Sequence, residues 1–97
     1  VASTHALIPT RHGSRYLQQL CKHWAHKLEV DFTPEQGTVK LPDEALTTMT
    51  AGPEALEVRI EAPDTETLER MKGVVSRHLD RFAFREAPLP FDWKDAS

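Results

Sequence analysis

The sequence predicts an α+β domain, an antiparallel sheet with two amphipathic helices packed on one face. Three features of its 97 residues carry that expectation. Four consecutive segments alternate apolar and polar residues with the two-residue period of a half-buried strand. Short turns rich in Pro, Gly, Asp and Glu join them, which suits a meander rather than parallel crossovers. Two longer segments repeat apolar residues at three and four positions, the mark of a helix with one buried face. The expected order is β-α-β-β-β-β-α-β over residues 1–97, read as one domain.

The elements follow in turn. Thr4 to Ile8 reads as a strand closed by Pro9, and Thr10 as the cap of a helix over Arg11 to Lys27. Leu17, Leu20, Cys21, Trp24 and Leu28 mark that helix's buried face. Leu28, Val30 and Phe32 alternate with Glu29, Asp31 and Thr33 in the next strand. Pro34 to Gly37 forms a turn, Thr38 to Leu41 returns, and Pro42, Asp43 and Glu44 turn again. Leu46 to Thr50 and Leu56 to Glu61 complete the meander across Ala51-Gly52-Pro53. Asp64 caps a second helix, whose core face is Leu68, Met71, Val75, Leu79 and Phe82. The tail alternates Leu89, Phe91 and Trp93 with Pro88, Pro90 and Asp92. Prolines donate no ladder hydrogen bonds, so this strand belongs on a sheet edge.

Composition narrows the function classes. The hydrophobic fraction is 39% and the charged fraction 28%, a globular balance. A single cysteine, Cys21, excludes an intrachain disulfide and a multi-cysteine zinc site. No apolar run is long enough for a membrane span. Val1 to Ile8 shows no export leader, so the expected compartment is the cytoplasm. The net charge of −3 is uneven. Residues 1–28 carry Arg11, Arg15, Lys22 and Lys27 and no acid, +4 in all. Residues 29–66 set ten Asp and Glu against Lys40 and Arg59, −8, and residues 67–97 come to +1. A pI near 5.9 argues against a dedicated nucleic-acid binder.

The first helix holds the chemistry. Counting about 100° per residue, His12, Tyr16, Gln19, His23 and His26 fall in one stripe of about 80°, away from the core face. Arg11, Arg15 and Lys22 lie beside it. An anion or acidic partner is one reading: His12, Gly13, Ser14 and Arg15 occupy the first turn, where free amides and the helix dipole favour negative charge. In it Ser14 donates, Arg15 grips two oxygens and Gly13 removes bulk. Metal binding is another, with His23 and His26 three residues apart and able to reach one iron or zinc ion. Cys21 falls on the opposite side of the helix from His23 and cannot complete that set. The same angle puts its thiol in the core, where it is an inert apolar group rather than a nucleophile. No Gly-x-Ser-x-Gly elbow or P-loop is present, and no paired carboxylates are identifiable, so no active site assembles.

On the second helix Arg70, Arg77 and Arg81 form a solvated stripe, with Glu66 placed to pair with Arg70. His78 borders the core beside Met71 and Val74 and reads as a hydrogen-bonded structural histidine. A sheet edge, or a surface of Phe84 and Trp93, offers a route to a homodimer; otherwise the chain is a monomer.

The stretch His12-Gly13-Ser14-Arg15-Tyr16-Leu17-Gln18-Gln19-Leu20-Cys21-Lys22-His23-Trp24-Ala25-His26-Lys27 has a counterpart elsewhere. With Arg77-His78-Leu79-Asp80-Arg81-Phe82-Ala83-Phe84-Arg85-Glu86, it resembles the small bacterial family called Domain of Unknown Function 2218. The resemblance covers nearly the whole chain. Related domains occur in siderophore-interacting, flavin-dependent ferric reductases, which implies an accessory part in iron acquisition. Matching positions are His12, Ser14, Arg15, Tyr16, Gln19, Cys21, Lys22 and His23, then His78, Arg81, Phe82, Phe84 and Arg85. No flavin or nicotinamide fingerprint exists here, so this chain is not itself the reductase. The expected function is therefore a non-enzymatic binding protein without a resident cofactor. Its candidate partners are an anionic ligand, a ferric siderophore or a siderophore-interacting reductase. The alternatives are a small metal-binding protein or metal-dependent enzyme centred on His23 and His26, and a structural dimerisation or protein-interaction module.

Overall fold

A computed structural model describes residues 2–83, 89 and 91–96. The elements are β1 (Ala2–Pro9), α1 (Gly13–Trp24), β2 (Glu29–Phe32), β3 (Gln36–Lys40), β4 (Leu46–Ala51), β5 (Ala55–Ala62), α2 (Thr65–Phe82) and β6 (Lys94–Ala96). The expected α+β order holds. The strands form one antiparallel sheet in the order β2-β3-β4-β5-β1-β6. The meander supplies four neighbours, and β1 then pairs with β5 over eight positions, from Ala2 opposite Ala62 to Pro9 opposite Ala55.

Both helices cover the same face of the sheet. Thr4, Ala6 and Ile8 of β1, Val39 of β3, Thr47 and Met49 of β4, and Leu56, Val58 and Ile60 of β5 point inward, almost fully buried. α1 lies over β2, β3 and β4 and meets them through Leu17, Leu20, Cys21 and Trp24. α2 lies over β5 and β1 with Leu68, Met71, Val75 and Leu79. Each large side chain so buried contributes roughly 1.5–3 kcal/mol relative to its exposed state. The other face of the sheet carries Glu29, Asp31, Thr38, Lys40, Thr48, Glu57, Arg59 and Glu61, and no helix covers it.

Several boundaries differ from the expectation. The first helix begins at Gly13 and stops at Trp24, not Lys27, because the chain must turn before Glu29 can pair with Lys40. Leu28 N–H donates to the Trp24 carbonyl at 2.7 Å to close that turn. Thr10 does not cap the helix amides. Its hydroxyl accepts from His12 N–H, one residue short of the first turn, and its own N–H donates to the Glu54 carbonyl. Asp64 does cap α2, accepting from Thr67 N–H at 2.7 Å. Arg70 pairs with Asp43 of the β3–β4 turn at 3.0 Å rather than with Glu66. That turn holds Asp43 and Glu44 at φ of 61° and 63°, the two central residues of a turn in which Ala45 N–H donates to the Pro42 carbonyl.

The tail is the largest difference. Leu89, Phe91 and Trp93 are not in a strand: Leu89 is buried, and Phe91 and Trp93 stack at 5.4 Å and pack on the core. Pro88 and Pro90 lie outside the described residues. Leu89 N–H is held by the Asp80 carboxylate at 2.9 Å. The edge position is as expected, but β6 occupies it with Lys94, Asp95 and Ala96, next to β1. Lys72 of α2 reaches Asp95 at 2.8 Å and Glu69 at 2.6 Å, tying that edge to the helix layer. The Lys72 ammonium holds the Asp95 carboxyl below its ordinary range. A depressed carboxyl stabilises the fold at pH values above its unfolded pKa, and that contribution is lost as pH falls through the folded value. Amide exchange across Lys94–Ala96, corrected for its intrinsic pH dependence, should therefore quicken selectively on acidification below pH of about 4. Asp95→Asn should remove that step.

Gly37 was expected in a turn but lies inside β3, opposite Phe32 and Met49. A Cβ there would sit 2.8 Å from Cys21 Sγ and 3.3 Å from Leu17 Cδ2. Gly37→Ala should thus destabilise the protein by about 1–3 kcal/mol through overpacking. In a Cys21→Ala background the same change should cost clearly less, as a double-mutant cycle by chemical denaturation would measure.

Candidate functional site

The candidate site is the outer face of α1. Its inner face is fixed by packing, which decides what the outer face can show. Gly13 is buried, and a Cβ on it would lie 3.1 Å from Leu56 Cβ, so its bareness serves the contact with β5 and not an anion. Ser14 donates its only hydroxyl proton to the Pro34 carbonyl and accepts from Gln18 Nε2. It pins α1 to the β2–β3 turn and has no proton left for a ligand in this arrangement. Tyr16 is buried at 5% exposure, inside the core cluster and edge-on to the His12 ring at 6.1 Å. The placement of Tyr16 on an open stripe is thereby corrected: the buried arc is wider than the strictly apolar positions indicate.

His12, Arg15, Gln19, Lys22 and His23 are exposed, as is Arg11 just before the helix. Among the described residues Arg11, Arg15 and Lys22 make no ion pair, whereas Lys40, Arg70, Lys72 and Lys94 each have a carboxylate. No acid lies on α1. From Arg15 to Lys22 the stripe runs seven residues, about 10 Å along the axis, with Arg11 just before the helix. At its start, Arg11 and His12 form one wall of a shallow open cleft with Pro9, Thr10 and Glu54.

The histidines are distributed differently from their spacing in sequence. His26 is exposed in the turn after α1, so the regular helix on which its pairing with His23 was reasoned stops between the two. His23 instead meets α2, its ring 5.9 Å from His78 and 5.7 Å from Phe82. His78 also packs on Trp24 at 5.1 Å. Its Nδ1 lies 2.6 Å from the Val74 carbonyl, and since a carbonyl only accepts, Nδ1 carries the proton. The expected structural hydrogen bond is there, but the contact with His23 was not foreseen. Both residues sit on the borders of their helices, and their presence in the two segments that resemble one family was the available signal. Among the described residues no three His, Cys, Asp or Glu side chains converge on one point.

Cys21 is fully buried, and burial pushes its thiol up to about 11. With no base beside it, it serves packing.

A family model for an uncharacterised protein conserved in bacteria, DUF2218, matches residues 5–94. The chain belongs to this family. Among solved structures, the NMR structure of PA4090 from Pseudomonas aeruginosa is similar at 34% sequence identity and a TM-score of 0.73. The match covers 98% of this chain and 94% of that one. No functionally curated protein matches the chain. Among the described residues of this DUF2218 protein no helix is long and apolar enough to cross a membrane.

The state of Cys21 gives a direct check. Alkylation by iodoacetamide at pH 8 should run about two orders of magnitude slower in the native protein than in denaturant, from the thiolate fraction alone. Comparable rates in the two states would show that the thiol is accessible and activated.

Proposed function

We propose that this DUF2218 protein is a non-enzymatic cytoplasmic binding protein whose α1 face receives an anionic ligand or acidic partner. The observation that carries this reading is the row of exposed cations Arg11, Arg15 and Lys22, without an ion pair among the described residues, at and along a helix that bears no acid. Charge placement elsewhere supports it. Of the acids in residues 29–66, Glu29, Asp31, Glu57 and Glu61 extend from the uncovered face of the sheet, with the sheet between them and α1. Glu54 is the acid that shares the cleft with Arg11 and His12. A positive helix face on an otherwise acidic body steers anions and accelerates their encounter. Gln19 and His12 add hydrogen-bonding groups along the same row, and Arg15 can hold two oxygens of one carboxylate or catecholate at once.

The ligand class that this surface suits, given the family's association with ferric-siderophore reductases, is an anionic ferric chelate or the reductase that handles it. A strip about 10 Å long can contact such a chelate at several oxygens. Nothing on α1 supplies a nucleophile with a base, so the role is capture and presentation rather than turnover.

A ferric tris-catecholate chelate is the probe. Titrated into the protein at low salt, it should bind, and added salt should weaken it because the cations are exposed. Arg15→Glu with Lys22→Glu should lower affinity at least tenfold while leaving the thermal midpoint within about 2 °C, since surface charges carry little stability. Unchanged affinity in that double variant, or no binding by the parent protein, would overturn the ferric-chelate reading.

A further inference from the structure

The geometry points to a transition-metal site at the seam between α1 and α2, in which His23 and His78 ligate one zinc-like divalent cation. Three observations converge on it. The two imidazoles come from different helices and lie against each other with centroids 5.9 Å apart and planes inclined by 42°. His78 spends its Nδ1 proton on the Val74 carbonyl, which leaves Nε2 as the ring nitrogen with the lone pair. That backbone bond is also what orients histidines in metal centres, where the second nitrogen's hydrogen bond fixes tautomer and ring direction. Third, Trp24 packs on His78 and Phe82 stands edge-on to His23, so apolar rings hold both imidazoles.

The distances fit. With a metal–nitrogen bond of about 2.1 Å, an ion lies about 3.2 Å from each ring centroid, and a tetrahedral angle separates the centroids by about 5.2 Å. The observed 5.9 Å is within 1 Å of that, a shift open to His23, which is exposed. Among the described residues neither His23 nor the Nε2 of His78 has a hydrogen-bond partner to give up. Imidazole nitrogens select zinc, copper or nickel and not magnesium or calcium, which need oxygen ligands. Two protein ligands leave the remaining positions to water, an open site rather than a closed structural one. His26, beyond the end of α1, plays no part in it. The site does not rest on the anion reading, because its ligands, His23 and His78, are not the cations that carry that reading.

The test is a zinc titration of the untagged protein, followed through the imidazole nitrogen signals of all five histidines. His23 and His78 should shift together along one binding curve, with His5, His12 and His26 unmoved. His23→Gln and His78→Gln should each weaken zinc binding at least tenfold, and the double variant should be no weaker than either. Because the ion joins two helices, zinc should raise the thermal midpoint of the parent protein and not that of His23→Gln. His23 is exposed, so His23→Gln keeps the test valid if His78→Gln fails to fold. Full zinc affinity in His23→Gln, shifts centred on His12 or His26, or no shifts at all would each overturn the proposal. The Arg15→Glu, Lys22→Glu variant should keep its zinc site, so a failure of the anion reading and a failure of this one are told apart.

Discussion

The structure depends on how closely α1 approaches the sheet, and two missing side chains set that distance. At the helix start, Gly13 brings the backbone against Leu56 of β5, where a Cβ would be 3.1 Å from its neighbour's. Two turns on, Cys21 and Leu17 fill the space that Gly37 leaves open on β3. The two contacts lie on different strands, so they fix both the height and the rotation of the helix. Rotation is the consequential part, because packed interiors tolerate little slack. With Leu17, Leu20, Cys21 and Trp24 inward, Arg15, Lys22 and His23 have only the outer and lateral faces left. A larger residue at either glycine would lift or roll the helix and redistribute those side chains.

The same rotation carries Trp24 and His23 to the border with α2. There the helices meet through rings: Trp24 against His78, and His23 against His78 and Phe82. Aromatic contacts of this kind fix mutual orientation as well as burying area. α2 is independently anchored by the Asp64 cap, by Leu68, Met71, Val75 and Leu79 on β5 and β1, and by the Lys72 bridge to β6. The seam therefore joins two elements that are each held to the sheet. Its imidazoles are positioned by the core, although they stand at the surface.

Much of this was legible in the sequence, and the limits have physical causes. Period-two alternation in Glu29–Phe32 and Ala55–Ala62 placed strands and their buried faces, because each such strand has one wet side. Asp64 declared the start of α2 because its side chain bonds an amide three residues on, a purely local event. Gly37 read as a turn for the opposite reason. The cause of a glycine there is a cysteine sixteen positions earlier in sequence, in contact only after folding. The end of α1 was overrun because Leu28 continues the helical period while also beginning the strand pattern. Ladder pairing of Glu29 with Lys40 settles that competition.

At the site the division is similar. A helical wheel sorts residues by angle from an apolar centre, and it served well for Arg15, Gln19, Lys22 and Cys21, which lie far from the boundary. Tyr16 and His78 lie on it. Whether a boundary residue is wet depends on what the next element does, and no periodicity within one helix reports that. Tyr16 is covered because the core extends over its ring, and His78 is half-buried because Trp24 of the other helix lies against it. Both carry polar atoms, so each can be solvated or buried at modest cost provided a partner is found. His78 finds one in the Val74 carbonyl, and among the described residues its second nitrogen has no partner, at a seam already lined by another imidazole. Boundary positions of amphipathic helices are thus where sequence pattern is least decisive, and in this fold they include His78 of the α1–α2 seam.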